Sequence, residues 1–386
     1  MLPLTRREFL SSAFLAPTLA RLQPLAGGRL VGTVPFGDAE LPQTPLNRLL
    51  GAGLDARLFT DLTALAPDRL VTPSEHFFVR TATPPTLPDA GSWRIDVAGL
   101  VETAPPLSLE SLTGLGHASG RYLIECAGNA DPNNYGLISV ADWEGVPVAA
   151  VLDRLRPTTP KHRILVVGFD IENTPQQTSR TSLPGASWIF TRDDLRQALL
   201  ATRMNGTPLP REHGAPVRLV IPGWYGCACI KWVTRIELVG DEAAPTTQMW
   251  EFANRTHQPS DPDDRTEPPR LARDYIPAVI DTAAMPVRIE RWEVGGKTVY
   301  RVIGVIWGGN APTNALAIRF KPGQPWQPVD DCPMPKTTLT WSLWTHQWRP
   351  TDPGNYDIVL RVTDPAVRTR RLDLFYYVRK VTIASV

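Results

Sequence analysis

The sequence predicts two domains, a mixed α+β domain followed by a β-sandwich, and three observations support this prediction. The chain has 386 residues, enough for about two domains of ordinary size. Its first half alternates strand patterns with helical ones, whereas its last hundred or so residues contain only short strand patterns. Its 39 prolines, roughly twice the average share, favour extended segments and turns over long helices.

The composition excludes several classes of protein. Hydrophobic residues make up 42% and charged residues 20%, which is typical of a globular chain and not of a disordered or fibrous one. Forty Lys and Arg against 39 Asp and Glu leave a net charge of +1, so no nucleic-acid partner is expected. The sequence contains no run of 18 apolar residues, and no membrane span is predicted.

The N-terminal segment has the features of an export signal. Residues 1–20 combine a basic start, a modest apolar run and small residues towards Ala20. Arg6 and Arg7 precede Phe9 and Leu10 in the order Thr-Arg-Arg-x-Phe-Leu, which matches the twin-arginine pattern. A frayed basic helix would explain the arginines but not this order. We therefore predict a twin-arginine signal peptide at residues 1–20 and a periplasmic protein.

Residues 46–250 are predicted to form the mixed domain. Residues 93–99 and 163–169 have strand patterns. Residues 193–202 have a helical pattern, with Thr191 and Asp194 placed to cap the helix and Asn205-Gly206 placed to end it.

The rest of the chain is predicted to be a linker and a sandwich. Residues 251–280 lose periodicity and collect Asp, Pro and Arg, which predicts a linker or a draped loop. Residues 281–386 have strand patterns separated by turn signals, among them a Gly295-Gly296 hairpin turn. The predicted strands are 287–294, 298–305, 315–320, 339–344, 356–362 and 372–378. This pattern favours an immunoglobulin-like sandwich.

A single cysteine, Cys126, follows the apolar strand pattern of residues 122–125. Gly128 and Asn129 break the strand directly afterwards, so the thiol is expected at the edge of a loop. Such a cysteine can be a nucleophile that needs a base, or a soft thiolate ligand for a metal. A buried, inert cysteine is the commonest outcome for this spacing alone.

A second segment, residues 204–233, places cations in Gly- and Pro-rich turns around an apolar strand. His213, Arg218 and Lys231 stand where backbone donors and cationic side chains can hold an anion such as a phosphate. The alternative is a solvated loop with incidental charges.

These two segments, together with residues 72–80, resemble the sulfite oxidase family of molybdenum enzymes in its bacterial, exported form. The shared motifs are Glu-Cys-Ala-Gly-Asn at 125–129 and the run from Met204 to Arg218. The resemblance implies that residues 46–250 are a molybdopterin-binding oxidoreductase domain and that residues 281–386 are an immunoglobulin-like dimerisation domain. It also implies one molybdenum-molybdopterin per chain.

The resemblance assigns roles to particular residues. Cys126 matches the thiolate that ligates the molybdenum, and Arg80 matches the arginine that faces the open side of the metal. We therefore expect Cys126 and Arg80 to be catalytic. The residues expected to bind the cofactor are Phe78, Arg80, Cys126, Asp170, His213, Arg218, Cys229, Ile230 and Lys231.

Three positions depart from the family pattern. Thr81-Ala82 follows Arg80 where the family usually has Asn-His, and Ala130-Asp131 stands where sulfite-oxidising members place arginine. Pro184 occupies the position of the active-site tyrosine. Arg180 or Tyr225 are possible replacements, although both are expected to be solvated loop residues. Cys227 and Cys229 are predicted to be buried thiols, because a Cys-x-Cys disulfide is strained.

The predicted function is oxygen-atom transfer on a small sulfur compound, with electrons passed to an external acceptor, most simply a cytochrome c. The sequence has no haem or iron–sulfur motif of its own. One alternative keeps the cofactor and changes the reaction to that of a sulfane dehydrogenase or a sulfoxide reductase. Another is a cofactor-free binding protein in which a degenerate enzyme domain serves as a docking surface.

Overall fold

β-Strands dominate this computed structural model, which describes residues 22–37, 44–52, 54–81, 87–132, 134–169, 186–256 and 269–384. The strands are β1 Gly28–Val34, β2 Leu50–Ala52, β3 Asp55–Leu58, β4 Val79–Thr81, β5 Arg94–Gly99, β6 Leu107–Ser108, β7 Ala118–Glu125, β8 Ile138–Pro147, β9 Arg163–Gly168, β10 Ser187–Phe190, β11 Leu199–Met204, β12 Thr207–Pro208, β13 Arg218–Val220, β14 Val233–Val239, β15 Ala283–Val294, β16 Lys297–Trp307, β17 Leu316–Arg319, β18 Gln327–Pro328, β19 Ser342–Trp348, β20 Gly354–Val362 and β21 Arg379–Ile383. The α-helices are α1 Leu109–Thr113, α2 Val148–Leu152, α3 Thr247–Glu251 and α4 Ala253–Thr256. The expected strand-rich chain is confirmed, and its helical share is smaller than an α+β domain suggests.

No described helix has the length and apolarity needed to cross a bilayer. The predicted signal peptide, residues 1–20, lies outside the described residues.

The predicted helix at 193–202 is wrong. Its cap forms, because the backbone N–H of Thr191 donates to the Asp194 side chain at 2.7 Å and that of Asp194 donates to Thr191 Oγ1 at 3.1 Å. Turns follow the cap, and then β11 begins at Leu199. The strand pairs with β8 on one side and β13 on the other, and its residues 199–201 are buried. Pairing on both edges therefore overrides the local helical pattern.

The sheet that carries the site has the strand order β12-β11-β8-β7, and β13 also pairs with β11. β7 and β8 are antiparallel, with Glu125 paired to Ile138 at the end of β7. Gly145 in β8 lies so close to Leu200 and Ala201 that a Cβ atom there would overlap the β11 backbone. The close approach of β8 and β11 thus requires glycine at 145.

Two further sheets complete the first half of the chain. One has the order β10-β9-β14-β5-β6, in which β14 and β5 are parallel and the other pairs are antiparallel. The other is the small sheet β2-β3-β4, which ends at Arg80 and Thr81. This small sheet positions Arg80 opposite Arg57 of β3.

The last part of the chain contains two four-stranded sheets, β1-β15-β16-β19 and β18-β17-β20-β21. The predicted hairpin is present: Val294 pairs with Lys297, and Gly295 and Gly296 have φ angles of 56° and 73°. The predicted strand 372–378 is wrong, because these residues form turns and β21 begins only at Arg379. β1, from the N-terminal end, completes the first of these sheets.

One hydrophobic cluster runs through both halves of the described chain. The tryptophans predicted to be core residues are all buried, namely Trp224, Trp232, Trp307, Trp341 and Trp344. Several of their indole N–H groups still have partners, as in the donation from Trp341 Nε1 to the Leu70 carbonyl at 2.9 Å. Burial with a satisfied N–H is the usual structural role of tryptophan.

Candidate active site

A cavity of about 110 Å³ brings most of the predicted site residues together. The predicted residues that line it are Phe78, Arg80, Cys126, Arg218, Cys229, Ile230 and Lys231. Its other lining residues are Phe77, Thr81, Ile124, Ala186, Gly226, Cys227, Trp232, Gln248 and Phe252. Segments far apart in the chain therefore converge on one pocket, as the resemblance implied. Asp170 lies outside the described residues.

Cys126 is presented to the cavity by the end of β7. Its backbone N–H donates to the Leu137 carbonyl at 2.9 Å, and its carbonyl accepts from Asn129 N–H at 3.0 Å. The residue is 8% exposed, and Arg80 Nη1 lies 3.6 Å from its sulfur. The thiol is thus held at a strand end beside a guanidinium, on the wall of the cavity.

Arg80 reaches the cavity from β4. Its Nε is buried and has no hydrogen-bond partner in the described part of the chain. A Cβ atom at Gly128 would overlap the Arg80 guanidinium, so glycine at 128 lets the two segments approach. Nη1 of the guanidinium therefore lies against the Cys126 loop, and Nε, unpaired among the described residues, is available to a ligand.

His213 is buried just outside the cavity wall, close to the charged groups of Arg218 and Lys231. Its Nε2 lies 2.9 Å from the Ser74 carbonyl oxygen, which can only accept, so Nε2 carries the proton. Burial, with the nearby charges of Lys231 and Arg218, lowers its pKa to about 3. Nδ1 is therefore an unprotonated acceptor, and it is buried without a partner among the described residues.

Arg218 is buried at the start of β13 and is held by two carbonyls. Nη1 donates to the His213 carbonyl and Nη2 to the Cys229 carbonyl, each at 3.0 Å. The guanidinium carbon lies 5.0 Å from the centre of the Trp143 ring. Burial lowers its pKa to about 10, so the group stays charged at neutral pH. Its Nε has no hydrogen-bond partner within the described ranges.

Lys231 lies on the cavity wall beside the loop that contains His213. Its Nζ donates to the Glu212 carbonyl at 2.6 Å and lies 5.4 Å from the centre of the Trp232 ring. Gly214 makes room for it with a left-handed φ of 110°, because a Cβ there would lie 3.1 Å from that of Lys231. The loop therefore adds a second cation to this wall.

The two cysteines at 227 and 229 are free, buried thiols, as predicted. Burial is the main cause that raises the pKa of both, for Cys227 well above its ordinary value. The sulfur of Cys229 accepts from Ile221 N–H at 3.5 Å. Both thiols line the cavity, but their surroundings keep them protonated.

These groups fit an anionic cofactor that needs one thiolate ligand. Three buried nitrogens, on Arg80, His213 and Arg218, lack hydrogen-bond partners in the described chain and represent two donors and one acceptor. Buried polar groups in native proteins are almost always paired, and these three nitrogens, at or beside the cavity, are available to pair with a bound polar group. The cations Arg218 and Lys231 supply compensating charge for a phosphate, and Arg80 supplies a positive charge beside Cys126.

Sequence reasoning missed the contribution of α3 and the residues after it. Gln248 lines the cavity and donates to the Cys227 carbonyl, and Phe252 lines it nearby. Burial raises the pKa of Glu251, and the charge of Arg80 opposes this shift. The sequence contained a signal for α3, because threonine is a preferred N-cap residue. In the structure Thr246 caps α3, and its Oγ1 accepts from Met249 N–H at 3.2 Å.

Of the two residues considered as replacements for the missing tyrosine and arginines, Tyr225 is described by the structure, and it does not line the cavity. Tyr225 was expected to be a solvated loop residue, which is wrong: it is buried, and its ring lies 5.0 Å from the guanidinium carbon of Arg370. Arg180 and Pro184 lie outside the described residues.

Comparison with known proteins agrees with this geometry. Residues 81–248 match the family model of the oxidoreductase molybdopterin-binding domain. The chain is 28% identical to mitochondrial sulfite oxidase of Rattus norvegicus over 308 residues, which is 72% of this chain and 53% of that protein. It is 35% identical to the protein-methionine-sulfoxide reductase catalytic subunit MsrP of Xanthomonas campestris over 163 residues, 40% of this chain and 47% of that protein.

A solved structure shares the fold over nearly the whole chain. The sulfane dehydrogenase SoxCD from Paracoccus pantotrophus superposes with a TM-score of 0.61 at 19% identity, covering 98% of this chain and 96% of that one. By contrast, the chain spans about half the length of the curated relatives that it matches.

Proposed function

Because the chain belongs to the sulfite oxidase family of molybdopterin-dependent oxidoreductases, we propose that it transfers an oxygen atom to a small sulfur compound in the Cys126 cavity. The observation that carries this proposal is the Cys126 thiol, 3.6 Å from Arg80 Nη1, in a cavity with buried unpaired nitrogens nearby. A thiolate ligand, a fixed cation and a set of anion-binding groups are the parts that such a reaction requires.

The cofactor that this family implies is molybdenum-molybdopterin, which when bound would supply two-electron oxygen-atom-transfer chemistry with water as the source of the oxygen. Cys126 would give the metal its protein thiolate. Arg218 and Lys231 would hold the phosphate of the pterin, and the acceptor Nδ1 of His213 would take a donor group of the pterin, together with Phe78, Cys229 and Ile230 on the cavity wall. Asp170 remains a proposed contact.

Arg80 would bind the anionic substrate and stabilise the negative charge of the transition state. Its planar guanidinium can contact two oxygens at once. Each charge-assisted hydrogen bond contributes about 1.5–3 kcal/mol. Because the cations expected at 130–131 and the tyrosine expected at 184 are missing from the sequence, Arg80 carries a larger share of substrate binding than in the family pattern.

Sulfite is the simplest substrate, and two alternatives keep the same cofactor. Oxidation of a bound sulfane sulfur is supported by the shared fold with a sulfane dehydrogenase and by the departures around Arg80. Reduction of a sulfoxide is supported by the 35% identity to MsrP, although that match spans only 163 residues. The β-sheets that follow residue 281 favour oxidation of a sulfur compound over reduction of a sulfoxide. A cofactor-free docking protein would not need Cys126 and Arg80 together.

Location, partner and assembly complete the proposal. The twin-arginine pattern of residues 1–20 supports export to the periplasm. Two electrons must leave the site one at a time, and a cytochrome c there is a suitable acceptor. We further propose the domain limits 46–250 and 281–386, with 251–280 as the connection, and an immunoglobulin-like second domain that forms a homodimer.

The test measures metal and turnover in the purified protein after expression in a host that makes the cofactor. About one molybdenum atom per chain by mass spectrometry is expected, and its absence would favour the docking protein instead. Sulfite and thiosulfate are then assayed with oxidised cytochrome c, and methionine sulfoxide with a reduced dye. Turnover only with the sulfoxide would contradict the oxidising proposal.

A further inference from the structure

The carboxylate of Glu125, one residue before Cys126, is completely enclosed by protein. Arg370 donates to both of its oxygens, Nη1 to Oε1 and Nη2 to Oε2, at 2.7 Å each. The hydroxyl of Tyr135 donates to Oε1 at 2.7 Å, and Trp307 Nε1 donates to Oε2 at 2.9 Å. The residue beside the proposed metal ligand is thus fixed by groups from the last third of the chain.

Arg255 of α4 holds the other side of the Cys126 loop. Its Nη2 donates to the hydroxyl of Tyr135 at 2.7 Å and to the carbonyl of Asn129 at 3.3 Å, and it lies 3.5 Å from Glu125 Oε1. Asn129 in turn donates from Nδ2 to the Tyr135 carbonyl at 3.1 Å. The loop that presents Cys126 is therefore fixed between two buried arginines.

Glu125, Arg255 and Arg370, which we call the Glu125 cluster, contain more positive than negative charge. Two guanidinium groups against one carboxylate leave one positive charge in excess, and the three side chains are only 0%, 12% and 3% exposed in the order Glu125, Arg255, Arg370. Buried ion pairs add little net stability compared with apolar side chains of similar volume, because the charges must be desolvated. Stability alone does not account for an excess charge at this position.

We propose that the Glu125 cluster positions Cys126 and raises the reduction potential of the molybdenum that this residue ligates. The inference rests on the proposed function, since it requires the metal. Reduction adds negative charge to the metal centre, and a fixed positive charge behind the ligand stabilises the reduced state most strongly where water is excluded. The excess charge of the cluster thus makes the centre a better oxidant of its substrate.

Two substitutions test the sign of this effect in the holoenzyme. Glu125→Gln increases the excess positive charge from one to two, so the midpoint potential of the molybdenum should rise. Arg255→Gln removes the excess, so the potential should fall. The potentials are measured by redox titration followed by electron paramagnetic resonance, and molybdenum per chain is measured in the same samples.

Matched variants separate tuning from a purely structural role. Arg121 lies on β7 like Glu125 and forms an exposed ion pair with Asp142 of β8, so Arg121→Gln should leave the potential unchanged. Arg255→Lys keeps the positive charge that Arg255→Gln removes, so its molybdenum potential should equal that of the wild type. Comparison of these two variants tests the effect of charge at one position, independently of Glu125→Gln.

The outcomes distinguish the inference from the proposed function. Shifts of opposite sign for Glu125→Gln and Arg255→Gln support the inference. Unchanged potentials in molybdenum-containing Arg255→Gln protein would overturn it, even if the protein were less stable. If the wild type contains no molybdenum, the proposed function itself fails.

Discussion

Three buried cysteines line the same cavity, and their different surroundings decide which can bind a metal. Cys126 lies 3.6 Å from the guanidinium of Arg80, whereas burial raises the pKa of the thiols of Cys227 and Cys229. A thiolate is the ligand form, so the positive neighbour of Cys126 favours metal binding and burial of the other two opposes it.

Cys126→Ser should abolish turnover while leaving the fold intact. Loss of the thiolate is expected to reduce turnover by more than about 100-fold, beyond the effect of removing an outer-shell partner. Cys227→Ser changes the same atom type in the same cavity and should retain most of the turnover. Turnover per molybdenum is compared in the two variants, and substantial activity of Cys126→Ser would disprove the ligand assignment.

The buried His213 makes the stability of the cofactor-free protein depend on pH. Its folded pKa is about 3 against 6.5 for the ordinary group, so the unfolded chain binds the proton first as pH falls. The contribution of His213 is present above pH 6.5 and is lost as pH falls from there towards 3. Between pH 7 and pH 4.5 the loss is about 2.5 kcal/mol.

His213→Gln should remove this part of the pH dependence. The free energy of unfolding in urea is measured at pH 7 and pH 4.5 for the wild type and for the variant. The wild type should lose about 2.5 kcal/mol more than His213→Gln. His117→Gln, at an exposed position, should behave like the wild type. Equal losses in wild type and His213→Gln would show that His213 is protonated in the folded state.

Residue types and spacing predicted much of the site, but not the groups that complete it. Cys126, Arg80, Arg218 and Lys231 follow recognisable motifs, and the structure brings them to one cavity. Arg255 belongs to a segment without periodicity, and its role depends on contacts with Asn129 and Tyr135, which no local pattern encodes. Long-range pairing of this kind is visible only in three dimensions.

At the scale of elements, contacts between distant segments determined the structure where the local sequence pattern predicted a different element. The segment 193–202 has a helical pattern and a real cap, yet β11 forms because β8 and β13 offer backbone partners on both edges. Residues 372–378 alternate like a strand, yet they turn and bury Tyr376 and Tyr377 near Tyr135. The hairpin at Gly295-Gly296 was predictable because its two residues determine its geometry locally.

Gly145→Ala tests the close contact of β8 and β11. The added methyl group would overlap backbone atoms of Leu200 and Ala201, which cannot move without breaking the sheet. The free energy of unfolding should fall by about 1–3 kcal/mol, as for other overpacked sites. Gly91→Ala has no atom within 4 Å of the new Cβ and should change stability by less than about 0.5 kcal/mol. A Gly145→Ala protein as stable as Gly91→Ala would contradict the packing described.

At the scale of the whole molecule, a strand near the N-terminal end joins a sheet formed by the last third of the chain. β1 pairs antiparallel with β15 from Gly28 opposite Val294 to Val34 opposite Ile289. Beyond β1, Gly37 N–H donates to the Lys380 carbonyl at 2.8 Å. The N-terminal strand therefore covers an edge that the last sheets would otherwise expose.

Removal of residues 1–36 should destabilise the protein and promote its association. Val34 and Phe36 pack against the core, and losing their burial costs about 2–4 kcal/mol. The bare edge of β15 would offer unpaired backbone groups to another chain. A version that begins at residue 22 keeps β1 and is the matched control. Thermal unfolding and light scattering compare the two, and we expect the shorter chain alone to unfold earlier and to aggregate. Equal stability of both versions would mean that β1 contributes nothing to this sheet.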